Sequence, residues 1–97
     1  MANICENKMY VCSEDPANIK HLREWCKENL DGSLELIDDE CFEYYFDSRW
    51  DFPEEEMMEM VDALPNKDDI YIRVLSVEES NCYCAFHVYE GSGWELR

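Results

Sequence analysis

Basic side chains are what this 97-residue chain has least of: eight Lys and Arg stand against 24 Asp and Glu, for a formal net charge of −16. Such a deficit excludes direct nucleic-acid binding, whose affinity rests on neutralising phosphates with Lys and Arg. Long apolar runs are missing as well. The start of the chain has neither a basic opening nor about seven apolar residues in succession, and no segment approaches about eighteen. Neither a secretory signal nor a membrane partner is expected, and the resulting expectation is a cytoplasmic protein.

Signatures of chemistry are also lacking. No Gly-x-Ser-x-Gly, phosphate loop or His-Glu-x-x-His pattern occurs, so neither an enzyme nor a cofactor is expected. Cys82 and Cys84 could be joined by His21 or His87 around zinc, but the Cys-x2-Cys spacing and a second pair are absent. Asp38-Asp39-Glu40 lacks the ligand loop and central glycine of a calcium site. Carboxylates are so abundant that a pair of them says nothing without a concave site to raise one pKa.

What is present argues for a folded chain. With 46% hydrophobic and 13% aromatic residues, it is too apolar for a disordered acidic tail, and its length suits one domain spanning residues 1–97. One core fits, without a deep cavity, so a site is expected on the surface. The six cysteines (5, 12, 26, 41, 82 and 84) would suit a disulfide scaffold in a secreted protein. In a cytosolic chain they read as free thiols acting as small buried hydrophobes.

Periodicity marks the elements. Met9 and Val11 alternate with Lys8, Tyr10 and Cys12, which predicts a strand over about 7–13. Asp15-Pro16 caps and starts a helix with Ile19, Leu22, Cys26 and Leu30 on one stripe, closing near Gly32. Leu34–Ile37 and Cys41–Ser48 read as a hairpin around an Asp38-Asp39-Glu40 tip. Trp50-Asp51-Phe52-Pro53 leads into a second helix with Glu54, Glu55 and Glu56 in its first turn and Met57, Met60, Val61 and Leu64 inside. Ile70–Leu75, a turn over Glu78–Asn81 and Cys82–Tyr89 complete a second hairpin, after which Gly91-Ser92-Gly93 releases a short tail with Trp94. The order strand, helix, hairpin, helix, hairpin predicts an α+β, ferredoxin-like two-layer sandwich: a mainly antiparallel sheet of four to five strands with two helices on one face. If Cys84, Phe86 and Val88 face the helices with Met9, Val11, Phe42, Tyr44, Phe46, Ile70, Ile72 and Val74, then Tyr10, Tyr45, Tyr71, Tyr83 and Tyr89 share the open face.

The acid is concentrated. Residues 31–69 hold 15 carboxylates against Arg49 and Lys67, whereas the flanking segments are close to neutral. Asp38, Asp39, Glu40, Glu43 and Asp47 on the first hairpin and Glu54, Glu55, Glu56, Glu59 and Asp62 on the second helix form the candidate partner-binding belt. One reading is a solubilising face. The other is mimicry of DNA, which carries a charge per roughly 1.7 Å of axis, by helix carboxylates about 5–6 Å apart that act together within a screening length of about 8 Å.

The N-terminal Met1-Ala2-Asn3-Ile4-Cys5-Glu6-Asn7, the Trp50-Asp51-Phe52-Pro53 segment and Leu64-Pro65 resemble the start, helix-two lead-in and helix exit of the YubB-like proteins. These are small phage and plasmid proteins with a ferredoxin-like domain; Ile4 and Phe52 stand where that family carries Trp and Pro. The resemblance implies the fold and a mobile-element origin, and no functional residue. Together with the charge it leads to an expected inhibitor, of anti-CRISPR or anti-restriction type. Its acidic face would meet a basic nucleic-acid-binding host protein such as a CRISPR effector or restriction nuclease. The alternative is a protein-interaction or self-associating (homodimeric) module using the five tyrosines, with the acid serving solubility.

Overall fold

Each strand forms where apolar and polar residues alternate, and each helix begins at a proline, Pro16 or Pro53, ahead of an apolar stripe. A computed structural model describes residues 4–80 and 82–97; Met1-Ala2-Asn3 of the N-terminal motif and Asn81 of the expected turn lie outside the described residues. Strand β1 (Ile4–Cys12) buries Cys5, Asn7, Met9 and Val11. The Asp15 carboxylate accepts from the Ala17 N–H at 2.9 Å and starts α1 (Pro16–Asn29), whose inner side is Asn18, Ile19, Leu22 and Cys26. Strands β2 (Gly32–Leu36) and β3 (Cys41–Arg49) join through a turn pinned by Asp38, whose Oδ1 accepts from the N–H groups of Glu40 and Cys41 at 2.8 and 2.9 Å. Helix α2 (Glu54–Asp62) buries Met57, Met60 and Val61 and has Glu54, Glu55 and Glu56 at the positive end of its dipole. Strands β4 (Tyr71–Glu78), β5 (Tyr83–Tyr89) and β6 (Trp94–Leu96) follow.

The six strands make one antiparallel sheet in the order β2-β3-β1-β4-β5-β6, with β1 between β3 and β4. Met9 faces Tyr44 and Val74, and Val11 faces Phe42 and Ile72, so these residues share one side of the sheet. They form a single core cluster with Ile19, Leu22 and Cys26 of α1 and Met57, Met60 and Val61 of α2. Fully buried side chains such as Phe42, Leu22 and Met57 are each worth about 1.5–3 kcal/mol over exposure. The chain is therefore α+β, with two helices and an antiparallel sheet.

Two expectations are corrected. The sheet has six strands, not four to five, because the terminal segment is not a free tail. Gly91 and Gly93 adopt φ values of 98° and 142°, open to glycine, and turn the chain back so that Tyr89 pairs with Trp94 and the Arg97 N–H donates to Phe86 O at 2.8 Å. The facing of β5 is also reversed. Glu78 pairs with Tyr83, Val74 with His87 and Ile72 with Tyr89, so Tyr83, Ala85, His87 and Tyr89 lie on the helix side and Cys84, Phe86 and Val88 on the open side. Cys84, Phe86 and Val88 are the more apolar set, since Tyr83, His87 and Tyr89 carry polar atoms, so periodicity pointed to the wrong face; the register across the second hairpin decided it.

Asn18, fully buried, ties the ends of the two helices together. Its Nδ2 donates to Asn66 O (2.7 Å), Asp69 O (2.8 Å) and Ser13 Oγ (3.2 Å), and its Oδ1 accepts from the Asn66 N–H at 3.0 Å. A second buried polar group, Asn7, donates to Ser48 Oγ at 2.9 Å and accepts from Ser76 Oγ at 2.7 Å, joining β3, β1 and β4.

Candidate functional site

The acidic belt divides into three places. Asp38, Asp39 and Glu40 sit at the hairpin tip beside α1, where Asp39 lines a shallow groove with Lys20, Arg23 and Lys27. The tip thus has basic neighbours, and Asp38 has a structural task in its turn. Glu43 lies on the open sheet face, where Lys8 Nζ is 3.5 Å from its carboxylate and the Tyr45 hydroxyl donates to it at 3.1 Å. Asp47 and the first turn of α2 meet elsewhere. With Asp31 and Asp51, which the sequence reading did not single out, Asp47, Glu54, Glu55 and Glu56 surround an open cleft of about 510 Å³.

This acidic end is built by a sharp corner between β3 and α2. Trp50 takes a left-handed backbone (φ 71°), the Asp51 N–H donates to Arg49 O at 2.8 Å, and Ser48 Oγ donates to Asp51 O at 2.7 Å. The corner brings the end of β3 against the start of α2 and the end of α1. Among the described residues none of these six carboxylates is in an ion pair, and Arg49 is the one basic residue lining the cleft. Glu59 and Asp62 carry the negative charge further along the exposed side of α2.

The tyrosine face is smaller than expected. Tyr10, Tyr45 and Tyr71 are on the open side; Tyr83 and Tyr89 are not. Tyr83 is half-buried and its hydroxyl accepts from the Phe52 N–H at 3.3 Å, and Tyr89 is 3% exposed, its hydroxyl pushed up by burial and by Asp62. Arg73 lies over the Tyr10 ring at 4.2 Å and 6.0 Å from the centre of Tyr71, and Lys8 lies 5.7 Å from the centre of Tyr45. Lys8, Tyr10, Glu43, Arg73, Leu75 and Phe86 border one depression on this side. Trp94 does not cover it. The Trp94 Nε1 donates to Met57 O at 3.3 Å and its ring packs on Phe52 and Tyr89, all on the helix side.

The cysteines are not uniformly buried: Cys5, Cys26 and Cys41 are, Cys12 is half-buried, and Cys82 and Cys84 are exposed. Burial pushes the Cys26 thiol up to about 12. His87 is stacked under Phe52, and desolvation holds it below its ordinary value. Among the described residues no three His, Cys, Asp or Glu side chains are grouped so as to hold a metal ion, and no helix is long and apolar enough to cross a membrane. Comparison of the chain with protein-family models, with curated proteins and with solved structures finds no match.

Proposed function

We propose that this is a non-catalytic binding protein whose acidic end occupies the basic, nucleic-acid-binding surface of a host protein. The observation that supports it is the set of six carboxylates, Asp31, Asp47, Asp51, Glu54, Glu55 and Glu56, around one cleft, none of them in an ion pair among the described residues. Charge of one sign gathered at a corner steers a basic partner and replaces phosphates on its surface. The belt narrows accordingly: Asp39 and Glu43 have basic neighbours and Asp38 is engaged in its turn, while Glu59 and Asp62 extend the acidic end along α2. A ferredoxin-like two-layer sandwich accords with the strand order; the YubB-like, mobile-element origin rests on the sequence resemblance alone, and an inhibitor of a CRISPR effector or restriction nuclease would suit such an origin.

The test mixes the protein with purified candidate effectors and nucleases and follows DNA binding. Displacement of DNA, lost when Glu54, Glu55 and Glu56 are changed to Gln and weakened by salt, is the expected result. Unhindered simultaneous binding of DNA and protein excludes the reading.

A second reading is favoured by the open sheet face, where Tyr45 (39% exposed) and Leu75 (38% exposed) accompany Tyr10 and Arg73. Here a partner protein or a second copy covers the sheet. Association that survives high salt but fails in Tyr45→Ala/Leu75→Ser would favour it.

A further inference from the structure

Cys12 and Cys41 face each other across β1 and β3. The Ser13 N–H donates to Glu40 O at 2.9 Å, which makes Ser13 and Glu40 a hydrogen-bonded pair. By the alternation of an antiparallel ladder, the next pair inward, Cys12 and Cys41, is non-hydrogen-bonded. Such pairs hold their Cα atoms about 4.5 Å apart with side chains on the same face, within the range of about 4.4–6.8 Å that a disulfide requires. No other cysteine is so placed among the described residues: Cys5 faces Ser48, Cys84 faces Val77, and Cys26 is inside α1.

A hydrogen bond to Cys41, burial and the proximity of Cys41 push the Cys12 thiol up to about 11, and the Tyr10 hydroxyl is held high chiefly by its own hydrogen bond to Cys41. Cys12 is the more exposed partner; Cys41 is 9% exposed beneath it.

We propose that Cys12 and Cys41 are a redox modification site, forming a reversible cross-strand disulfide by exchange with a low-molecular-weight disulfide of the glutathione class. The Cys12 thiolate attacks one sulfur of the oxidised tripeptide, whose S–S bond breaks and releases one glutathione thiolate. The Cys41 thiolate then attacks the Cys12 sulfur of the mixed disulfide and releases the second. Two protein thiols are oxidised to one disulfide, one glutathione disulfide is reduced to two thiols, and the two protons pass to the leaving thiolates. The bridge ties β1 to β3 at the base of the Asp38–Glu40 turn and closes a loop containing α1 and β2. It fixes the acidic hairpin tip to the centre of the sheet.

The test uses the full chain carrying Cys82→Ser and Cys84→Ser, so that the exposed thiols do not compete, folded at pH 8 with oxidised glutathione. The expected product has lost about 2 Da with no retained adduct, yields a linked Cys12–Cys41 peptide on digestion, and reverts with dithiothreitol. Its Tm exceeds that of the reduced form by at least about 5 °C, because a cross-link over such a loop restricts the unfolded chain. Adding Cys12→Ser removes the bridge and the Tm gain. A persistent glutathione adduct without closure, a bridge to Cys5 or Cys26, or no reaction in the folded protein while the urea-unfolded chain oxidises overturns the proposal.

Discussion

The imidazole of His87 lies flat on the ring of Phe52, with centroids 3.7 Å apart and planes 11° from parallel, and its Nδ1 is buried without a hydrogen-bond partner. The stack places a titratable ring where a charge is poorly solvated. Desolvation lowers the His87 pKa from 6.5, against a smaller opposing pull from Glu54.

The pH dependence follows from that direction. Below pH 6.5 the unfolded chain binds the proton that folded His87 resists, so unfolding takes up protons and stability falls as pH drops through 6.5 towards the lower folded value. Above about pH 7.5 both states are neutral at this site and the contribution is flat. In His87→Phe this loss is absent. Urea unfolding of both proteins from pH 7.5 to 5 should show the variant gaining on the parent as pH falls; a constant difference rejects the assignment. Titrating carboxylates are common to both proteins and cancel in the comparison.

Tyr89 and Tyr45 are predicted to behave oppositely. Tyr89 is 3% exposed in the core, so Tyr89→Ala should cost about 3–5 kcal/mol. Tyr45 is 39% exposed on the open face, so Tyr45→Ala should cost less than about 1 kcal/mol. Denaturant midpoints decide it, and similar losses at both positions would mean that β5 faces the other way.

Asn18→Ala should cost about 2–4 kcal/mol, because it strands the Asn66 and Asp69 carbonyls and the Asn66 N–H in a part-buried loop. Hydrogen exchange at the Asn66 amide should accelerate in step with the loss. A near-neutral variant would show that water replaces the side chain.

Gly32→Ala should disrupt the edge of the sheet. A Cβ at Gly32 would run into the Tyr45 carbonyl oxygen, a backbone atom that cannot step aside. The expected loss is about 1–3 kcal/mol, with amide protection lost first in β2. Unchanged protection there would contradict so close an approach of β2 to β3.

Salt should stabilise the protein. With 24 acidic against eight basic side chains, and no ion pair at the acidic end among the described residues, repulsion opposes folding at low ionic strength. Raising NaCl from about 20 mM to about 0.5 M shortens the screening length to a few ångströms and should raise the Tm by several degrees. A lower Tm would mean that attractive ion pairs dominate.

Much of the fold was legible because short-range rules wrote it: the Asp15-Pro16 cap, the α1 stripe of Ile19, Leu22 and Cys26, the Met9/Val11 alternation and the acidic first turn of α2 all rest on neighbours within a few residues. The same rules placed Tyr10, Tyr45 and Tyr71 on the open face. They failed in β5, where the more apolar set Cys84, Phe86 and Val88 faces outward, and where the glycine turn after Glu90 reversed the chain into β6.

The excess of acidic over basic side chains and its confinement to residues 31–69 are properties of the sequence alone, since they are a count of residue types along the chain. Which of those charges stand together is decided by the tertiary structure. The corner at Trp50 collects Asp31, Asp47, Asp51 and Glu54–Glu56 at one end, while Lys8 pairs with Glu43 and α1 sets lysines beside Asp39. The reason is physical: charge adds along the chain, but repulsion and attraction depend on distances in space, and those are set by strand register and helix packing.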